Sequence, residues 1–336
     1  MNRVNAFKGT QKNSVTMPLV AVLTNPLSSA NKKRLPEIRR IIDKSLNVIH
    51  FEMNTIADIG EGLALFARAQ PSMLIINGGD GTVGMVLQAL LYRNPFKIVP
   101  PIAILPGGKT NMTGADLGLI GSPTKILNKL LKLVHSKDIS ANIVTRHMIE
   151  VDLGDGKCAR VGTFFGAAGI VQSVLWCRNN IYPRKWPQFI AHFVTFGVLL
   201  GASANLVLKD QIADGENMDI YIQGGGRLSG RYSALSCTTL DELVLGAKPY
   251  ANFGSGGLRF GCVSQGGANM LRAIIGLITG RFSKGHIKGV QVRRSDMIRI
   301  KTAGHVMLDG EILKVMPNIP IILKGDKNLS FVSFIK

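Results

Sequence analysis

The chain has 336 residues, 46% of them hydrophobic, and a formal net charge of +19. These values are typical of a globular protein with room for two domains, and they exclude a disordered chain. Its four cysteines are widely spaced and form no Cys-x-x-Cys pair, which argues against a zinc site or a disulfide framework and favours a reducing compartment.

The large positive charge predicts an anionic partner. Nucleic acid is not expected, because no recognised nucleic-acid-binding motif is present. Clustered Lys and Arg side chains contribute on the order of 1 kcal/mol each to binding an anionic membrane, so a membrane surface is the favoured partner. A merely solvated basic surface is the alternative.

The N-terminal segment, residues 1–16, is polar and basic, with Arg3, Lys8 and Lys12 and no acidic residue. We expect a flexible tail here, because the segment has no apolar stretch that would bury it. An organellar targeting segment is the alternative.

From Pro18 to about residue 140, apolar runs of strand length alternate with runs of helical periodicity. This alternation predicts an α/β domain over residues 17–140, with a parallel sheet covered by helices on both faces. Ligands of such sheets bind at the carboxyl ends of the strands. The predicted strands are Leu19–Leu23, Asn47–Met53, Met73–Ile76 and Ile102–Leu105, and the predicted helices are Lys33–Leu46, Ile56–Ala69, Val83–Leu91 and Thr124–Val134.

Three glycines surround one carboxylate in Asn77–Thr82, between a buried strand and a helix. Glycine lets the backbone approach an anion closely, and a helix N-terminus favours negative charge, so this pattern predicts a phosphate-binding loop. Asp80 would then face a cation or a proton. A tight glycine-rich turn without chemistry is the alternative.

The segment Ile102–Gly118 repeats the plan of strand, glycine-rich turn and helix start, with Thr110 and Asn111 as side-chain donors. Its Gly-Gly-Lys-Thr run is similar to the end of a P-loop. A P-loop also needs a glycine five positions before the second glycine, where this chain has Ala103. We therefore do not favour a P-loop.

A third motif, Val306–Glu311, places Asp309 and Glu311 on either side of a glycine after an apolar strand. Asp-Gly is a common hairpin signal, so a plain hairpin turn is the favoured interpretation of this motif taken alone.

After about residue 140, short strand-like runs separated by glycine turns predict a β-rich second domain over residues 141–336. Trp176–Phe189 and the apolar run Ile190–Leu208 interrupt it. We expect either a lid at the membrane surface or a core helix there, and a membrane-spanning helix is less favoured. The basic stretch Arg272–Lys301 is either membrane-facing or a solvated strand face.

Together these motifs resemble the diacylglycerol kinase catalytic-domain family of lipid kinases, which includes bacterial diacylglycerol kinases and sphingosine and ceramide kinases. The marks are Asn25-Pro26 with Ser28, then Gly78–Thr82, Pro106–Gly118 and Asp309-Gly310-Glu311. The resemblance implies a β-sandwich second domain whose last strands return to the cleft between the domains.

The resemblance also implies the site. Asp80 would anchor Mg²⁺, Asp309 would serve as general base and metal ligand, and Glu311 would support the metal or the base. ATP would be the phosphoryl donor. The implied nucleotide-binding residues are Asn25, Ser28, Gly78, Gly79, Gly81, Thr82, Gly107, Gly108, Lys109, Thr110 and Asn111.

The chain departs from the family's usual Pro-x-Gly-Thr-x-Asn-Asp loop, since Lys109 stands at the threonine position and Met112 at the aspartate position. A thioether is a poor ligand for Mg²⁺, which prefers oxygen. Asp116, four residues further on the same predicted helix face, is the candidate replacement ligand.

The expected function is ATP-dependent phosphorylation of a hydroxyl group on a membrane lipid of the diacylglycerol or sphingoid kind. The protein would be cytoplasmic and peripherally bound to an anionic membrane surface, with a homodimer left open. A catalytically weakened regulatory protein of the same fold and a soluble-substrate kinase of the NAD kinase type are the alternatives.

Overall fold

The structure is a computed structural model that describes residues 17–108, 110–136, 139–180, 215–243, 248, 253–283, 286–316 and 318–335. The predicted N-terminal tail, Lys109 and residues 181–208 of the predicted lid lie outside the described residues.

Among the described residues, the first sheet has six strands in the order β2-β1-β3-β4-β17-β5. Strands β1 to β4 are parallel, and β17 runs parallel to β4 and antiparallel to β5. Strands β1 and β3 are buried along their whole length, which explains their continuous apolar runs. The strands are β1 Val20–Thr24, β2 Val48–Glu52, β3 Met73–Gly78, β4 Ile102–Pro106, β5 Ile143–His147 and β17 Asn328–Val332.

Helices follow the strands of this sheet, and the predicted alternation is confirmed. Helix α5 shows the local reason, because Ile126, Leu130 and Val134 recur at helical spacing and are buried on one face. The helices are α1 Asn31–Asp43, α2 Asp58–Ala69, α3 Asp80–Tyr92, α4 Met112–Asp116 and α5 Pro123–His135.

A second, curled sheet contains eleven strands in the described part of the chain, and the pairs between them are antiparallel. Its core includes the fully buried Phe165, Phe260 and Leu323. The predicted α/β fold class with a β-rich second part is confirmed. The strands are β6 Ile149–Asp152, β7 Arg160–Gly162, β8 Phe164–Ala168, β9 Glu216–Ile222, β10 Gly226–Thr238, β11 Leu258–Ser264, β12 Val290–Ser295, β13 Met297–Lys301, β14 Val306–Leu308, β15 Glu311–Leu313 and β16 Ile321–Lys324.

Two helices pack on the outer face of this second sheet, α6 (Gly169–Asn180) and α7 (Gly267–Ile278). Helix α7 was not predicted, because it opens with glycines and carries few polar residues to mark a helical period. It forms because Met270 and Ile274 pack with Val263 and Val292 of the sheet in a separate apolar cluster.

The two sheets do not divide at the predicted boundary near residue 140. Strand β5 begins at Ile143, and the C-terminal strand β17 inserts between β4 and β5 of the first sheet. Phe331 and Val332 of β17 are fully buried in the first core. The last strand therefore completes the first domain, since its apolar residues find their partners there and not in the second sheet.

Candidate active site

The glycine-rich loops that follow β3 and β4, and the Asn25-Pro26 turn after β1, lie together at the carboxyl edge of the first sheet. The parallel register pairs Thr24 with Asn77 and Gly78 with Pro106, so the three strands end side by side. The two N-terminal motifs predicted from the sequence therefore meet at one edge, where open α/β sheets bind ligands.

The two glycine-rich loops pack backbone against backbone. The Gly107 amide donates to the Gly78 carbonyl at 3.0 Å, and a Cβ atom on Gly107 would lie 2.9 Å from the Gly78 Cα. A Cβ atom on Gly108 would overlap the Gly79 Cα. None of these four glycines has a positive φ. Glycine is needed at these four positions because the loops touch each other. At Gly81, by contrast, a Cβ atom would meet nothing within 4 Å.

Polar side chains from the first turn brace the first glycine loop. Asn25 Nδ2 donates to Thr82 Oγ1 at 2.8 Å, and the Gly79 amide donates to Ser28 Oγ at 3.3 Å. The structure thus brings Asn25, Ser28 and Thr82 together, as expected of residues that shape one phosphate-binding loop.

The second loop is closed by its own asparagine. Asn111 has a positive φ of 52°, its Oδ1 accepts from the Gly108 amide at 2.8 Å, and its Nδ2 donates to the Gly108 carbonyl at 2.9 Å. The amide oxygen and one of the two Nδ2 hydrogens are therefore used within the loop, so Asn111 braces the loop. Its predicted contact with the nucleotide would use the second Nδ2 hydrogen and stays a prediction. Thr110 is exposed beside it.

Asp80 joins the two loops. It is the first residue of α3, and its Oδ1 accepts the backbone N–H of Met112 at 2.9 Å, at the N-terminus of α4. Burial raises the pKa of the Asp80 carboxyl, although the N–H groups at the start of α4 favour its charged form. Met112 therefore contacts the Asp80 carboxylate through its backbone N–H and not through its thioether.

Asp309 lies in the two-residue turn between β14 and β15. Asp309 and Gly310 both have positive φ, 46° and 87°, as a tight hairpin turn requires, and the predicted hairpin is confirmed. The Asp309 carboxylate accepts the N–H groups of Thr163 at 3.0 Å and Phe164 at 2.8 Å, and the Thr163 hydroxyl at 3.0 Å. Burial raises the pKa of Asp309 to about 6, and the nearby charge of Asp80 adds to the shift.

The Asp309 carboxylate lies close to helix α3, which begins at Asp80, and the charge of Asp80 acts on it. A Cβ atom on Gly84, one helical turn after Asp80, would lie 3.8 Å from Asp309 Oδ2. Gly162 also leaves room for Asp309, because a Cβ atom there would lie 2.6 Å from the same oxygen. The sequence motifs near residues 80 and 309 therefore form one site, more than 200 residues apart in the chain.

The chemistry of this pair fits a magnesium ion. Two neighbouring, half-buried carboxylates with raised pKa values gain from a cation between them. Mg²⁺ is commonly held by one or two carboxylates together with substrate phosphates. The described residues contain no cluster of three acidic, histidine or cysteine side chains that would make an all-protein metal site.

Two other predicted site residues are engaged elsewhere. Asp116 is buried and accepts Arg146 Nε at 3.0 Å and the amides of Asp241 and Glu242 at 2.7 and 2.8 Å. These contacts contradict its predicted metal role, because its oxygens are already satisfied by a cation and two N–H groups. Glu311 is largely exposed and pairs with Arg160 at 2.9 Å.

Sequence reasoning missed Thr163, which holds Asp309, and Arg146, which holds Asp116. Neither residue stands in a recognisable motif. Their partners lie 146 and 30 positions away in the chain, so only the packing of the two sheets shows the contacts.

Comparison with known proteins shows which family the residues of this site resemble. Residues 19–142 match the model of the diacylglycerol kinase catalytic domain. This part of the chain is therefore similar to the catalytic domain of that family. The match covers β1 to α5 and thus both glycine loops, and it confirms the resemblance drawn from the motifs.

Two plant proteins are among the curated relatives of this chain. The chain is 37% identical over 86 residues to diacylglycerol kinase 2 of Arabidopsis thaliana and 35% identical over 100 residues to diacylglycerol kinase 1 of the same species. These matches cover 25% and 30% of this chain but only 11% and 13% of the plant proteins, so the chain spans about a tenth of the relatives' length.

A solved structure extends the similarity to the second sheet. The crystal structure of a diacylglycerol kinase from Bacillus anthracis aligns with a TM-score of 0.61 over 95% of this chain and 97% of that one, at 16% sequence identity. The similarity of fold therefore extends over both sheets of this chain.

Proposed function

We propose that the protein is a lipid kinase that transfers the γ-phosphoryl group of ATP to a hydroxyl group of a membrane lipid, of the diacylglycerol or sphingoid kind. The observation that carries this proposal is the meeting of Asp309 with Asp80 beside two glycine-rich loops in a diacylglycerol kinase catalytic domain. The N-terminus of α3, which follows the first loop, favours phosphate, and Asp309 offers a base.

In the proposed reaction, the lipid hydroxyl oxygen forms a bond to the γ-phosphorus while the bond from phosphorus to the β-phosphate oxygen breaks, which releases ADP. The hydroxyl proton passes to the Asp309 carboxylate and then to solvent. With a pKa of about 6, this carboxylate is mostly charged at neutral pH and can accept the proton.

Most of the catalysis would come from positioning and charge neutralisation, as phosphoryl transfer requires. The open space at Gly81 and the N-terminus of α3 suit the phosphates, while Asp80 and Asp309 would hold the metal. A magnesium ion bound there would neutralise charge on the transferred phosphoryl group.

A lipid substrate requires the protein to work at a membrane surface. Within the described residues, no helix has both the length and the apolar character to cross a bilayer. We therefore propose peripheral contact with an anionic bilayer, in line with the net charge of +19.

The test is transfer of labelled γ-phosphate from ATP into a total lipid extract with magnesium. We expect an organic-phase product with the wild type and a rate about 10²–10⁴ lower with Asp309→Asn, whose amide accepts no proton. The affinity for ATP should stay nearly unchanged. An Asp309→Asn variant of full activity would remove this residue from the base role.

The same assay separates the alternatives. Label found only in NAD would assign the protein to soluble-substrate kinases. No transfer, with ATP still bound, would favour a regulatory protein. In that case Met112→Asp is informative, because a large gain in rate would show that the missing oxygen ligand had weakened the site.

A further inference from the structure

The outer side of helix α7 is apolar, although the inner side already packs on the sheet. Met270 and Ile274 are buried in the cluster beneath the helix. On the opposite side Leu271 and Ile275, one turn apart, remain 44% and 45% exposed. A helix that is apolar on both sides is normally covered on both sides. The stripe formed by Leu271 and Ile275 therefore indicates a surface that a partner covers.

The surroundings of the stripe are basic. Residues 243–295 contain no Asp or Glu and eight Lys or Arg residues. Arg272 lies within the stripe, and Arg281 and Lys288 follow the helix; all three are exposed. The guanidinium of Arg272 donates to the neutral Asn269 Oδ1 at 2.7 Å, so its charge is not neutralised by that contact.

The chain after α7 is anchored so that these charges stay beside the helix. Phe282 is buried in the same cluster, and Ile287 packs against it. Both approach Gly276 closely, since a Cβ atom on Gly276 would lie 3.3 Å from Phe282 Cε2 and would overlap Ile287. The apolar stripe and its basic flank thus form one surface, which we call the α7 surface: Leu271, Arg272, Ile275, Arg281 and Lys288.

We infer that the α7 surface binds the protein to an anionic lipid bilayer. Leu271 and Ile275 enter the interfacial region, and the basic residues contact the headgroups. A second copy of the chain is a poorer occupant, because two such surfaces facing each other bring like charges together. The inference rests on the proposed function in one respect, that the lipid substrate lies in the bilayer.

The position of α7 suits this role. Its cluster also contacts Ile170 and Trp176 of α6, which directly follows strand β8. Strand β8 begins at Phe164, whose N–H group holds Asp309. The α7 surface and the proposed base therefore both adjoin the unit formed by β8 and α6, the first through α6 and the second through β8.

The experiment is sedimentation with vesicles of phosphatidylglycerol mixed with phosphatidylcholine, without ATP. Leu271→Ser/Ile275→Ser should bind the vesicles about tenfold or more weakly, because two apolar side chains are lost from the interface. The matched control is Leu46→Ser/Ile98→Ser, which removes apolar side chains that are 97% and 86% exposed on the first domain. This control should bind as the wild type does.

A second variant, Arg272→Gln/Arg281→Gln/Lys288→Gln, should lose affinity for these vesicles and lose most of the dependence of binding on salt. Melting temperatures near that of the wild type would show that all variants fold. Unchanged vesicle binding by Leu271→Ser/Ile275→Ser overturns the inference, as does a wild type that dimerises through this surface instead.

The outcome is separable from that of the proposed function, because vesicle binding needs no turnover. Asp309→Asn should sediment with vesicles as the wild type does. A protein that binds vesicles through the α7 surface but phosphorylates no lipid would contradict the proposed function alone. A lipid kinase whose vesicle binding is unchanged by the substitutions in the α7 surface would contradict only the inference that this surface binds the bilayer.

Discussion

At the residue scale, Asp309 shows how opposing effects set the properties of one carboxylate. Three donors from Thr163 and Phe164 favour its charged form. Burial and the neighbouring Asp80 favour the neutral form, and they prevail, since the pKa is raised to about 6. The hairpin turn therefore holds a carboxylate that titrates close to neutral pH, which is the range that the proposed role as general base requires.

This raised pKa predicts a stability change. The carboxyl of Asp309 has an ordinary pKa of 3.8 and a folded-state pKa of about 6. Its stabilising contribution is complete below pH 3.8 and is lost as the pH rises through 6, because the folded state disfavours the charge. Asp309→Asn should therefore raise the free energy of unfolding near neutral pH by about 1–3 kcal/mol and give no such gain near pH 4.

Urea unfolding at a series of pH values checks this prediction. Glu311→Gln is the control, because Glu311 is an exposed acid two residues away and should leave the pH dependence unchanged. An Asp309→Asn gain that does not vary with pH would contradict the assigned cause.

At the element scale, the two glycine-rich loops depend on each other. Gly78 and Gly79 after β3 contact Gly107 and Gly108 after β4, and Asp80 caps the short helix α4 that follows the second loop. Neither loop can keep its conformation without the other, so we expect a substitution in one loop to shift the backbone of the other.

The prediction is that Gly108→Ala separates the loops. Its new Cβ atom would overlap the Gly79 Cα, so the free energy of unfolding should fall by about 1–3 kcal/mol, as for other overpacked sites. ATP affinity should fall with it. Gly81→Ala, where a Cβ atom meets nothing within 4 Å, should change the free energy of unfolding by less than about 0.5 kcal/mol. Equal effects of the two substitutions in denaturant unfolding would refute the contact argument.

At the scale of the whole molecule, a chain of charges links the two sheets. Arg146 of β5 pairs with the buried Asp116 of the first domain and, at 2.7 Å, with Asp241 of the second. Arg259 of β11 pairs with Asp241 in turn. Together with the return of β17 into the first sheet, these pairs fix the position of the second sheet relative to the glycine-rich loops.

We predict that Arg146→Met lowers the free energy of unfolding by about 3 kcal/mol, because it leaves the Asp116 carboxylate buried without a cation. Arg39→Met is the control, since Arg39 is 51% exposed and its pair with Glu52 should contribute less than about 1 kcal/mol. Thermal or urea unfolding measures both. A loss for Arg146→Met no larger than that of the control would contradict the linking role.

The sequence by itself determined the alternating first domain, the β-rich second part and the family, because these depend on local patterns. Buried strands, helical periods and glycine turns are each encoded within a few residues. The motif Gly78–Thr82 forms a turn into α3, and Asp309–Glu311 forms a hairpin turn, as local patterns of this kind predict. The membrane partner and the homodimer remain predictions, as do the roles assigned to the site residues.

Only the tertiary structure decided which distant residues meet. It placed β17 in the first sheet, tied Asp309 to Thr163, gave Asp116 a structural role and exposed one side of α7. Each of these depends on a contact between segments far apart in the chain, or on a surface that forms when they pack. Such contacts are set by the global arrangement of two sheets, which no short stretch of sequence contains.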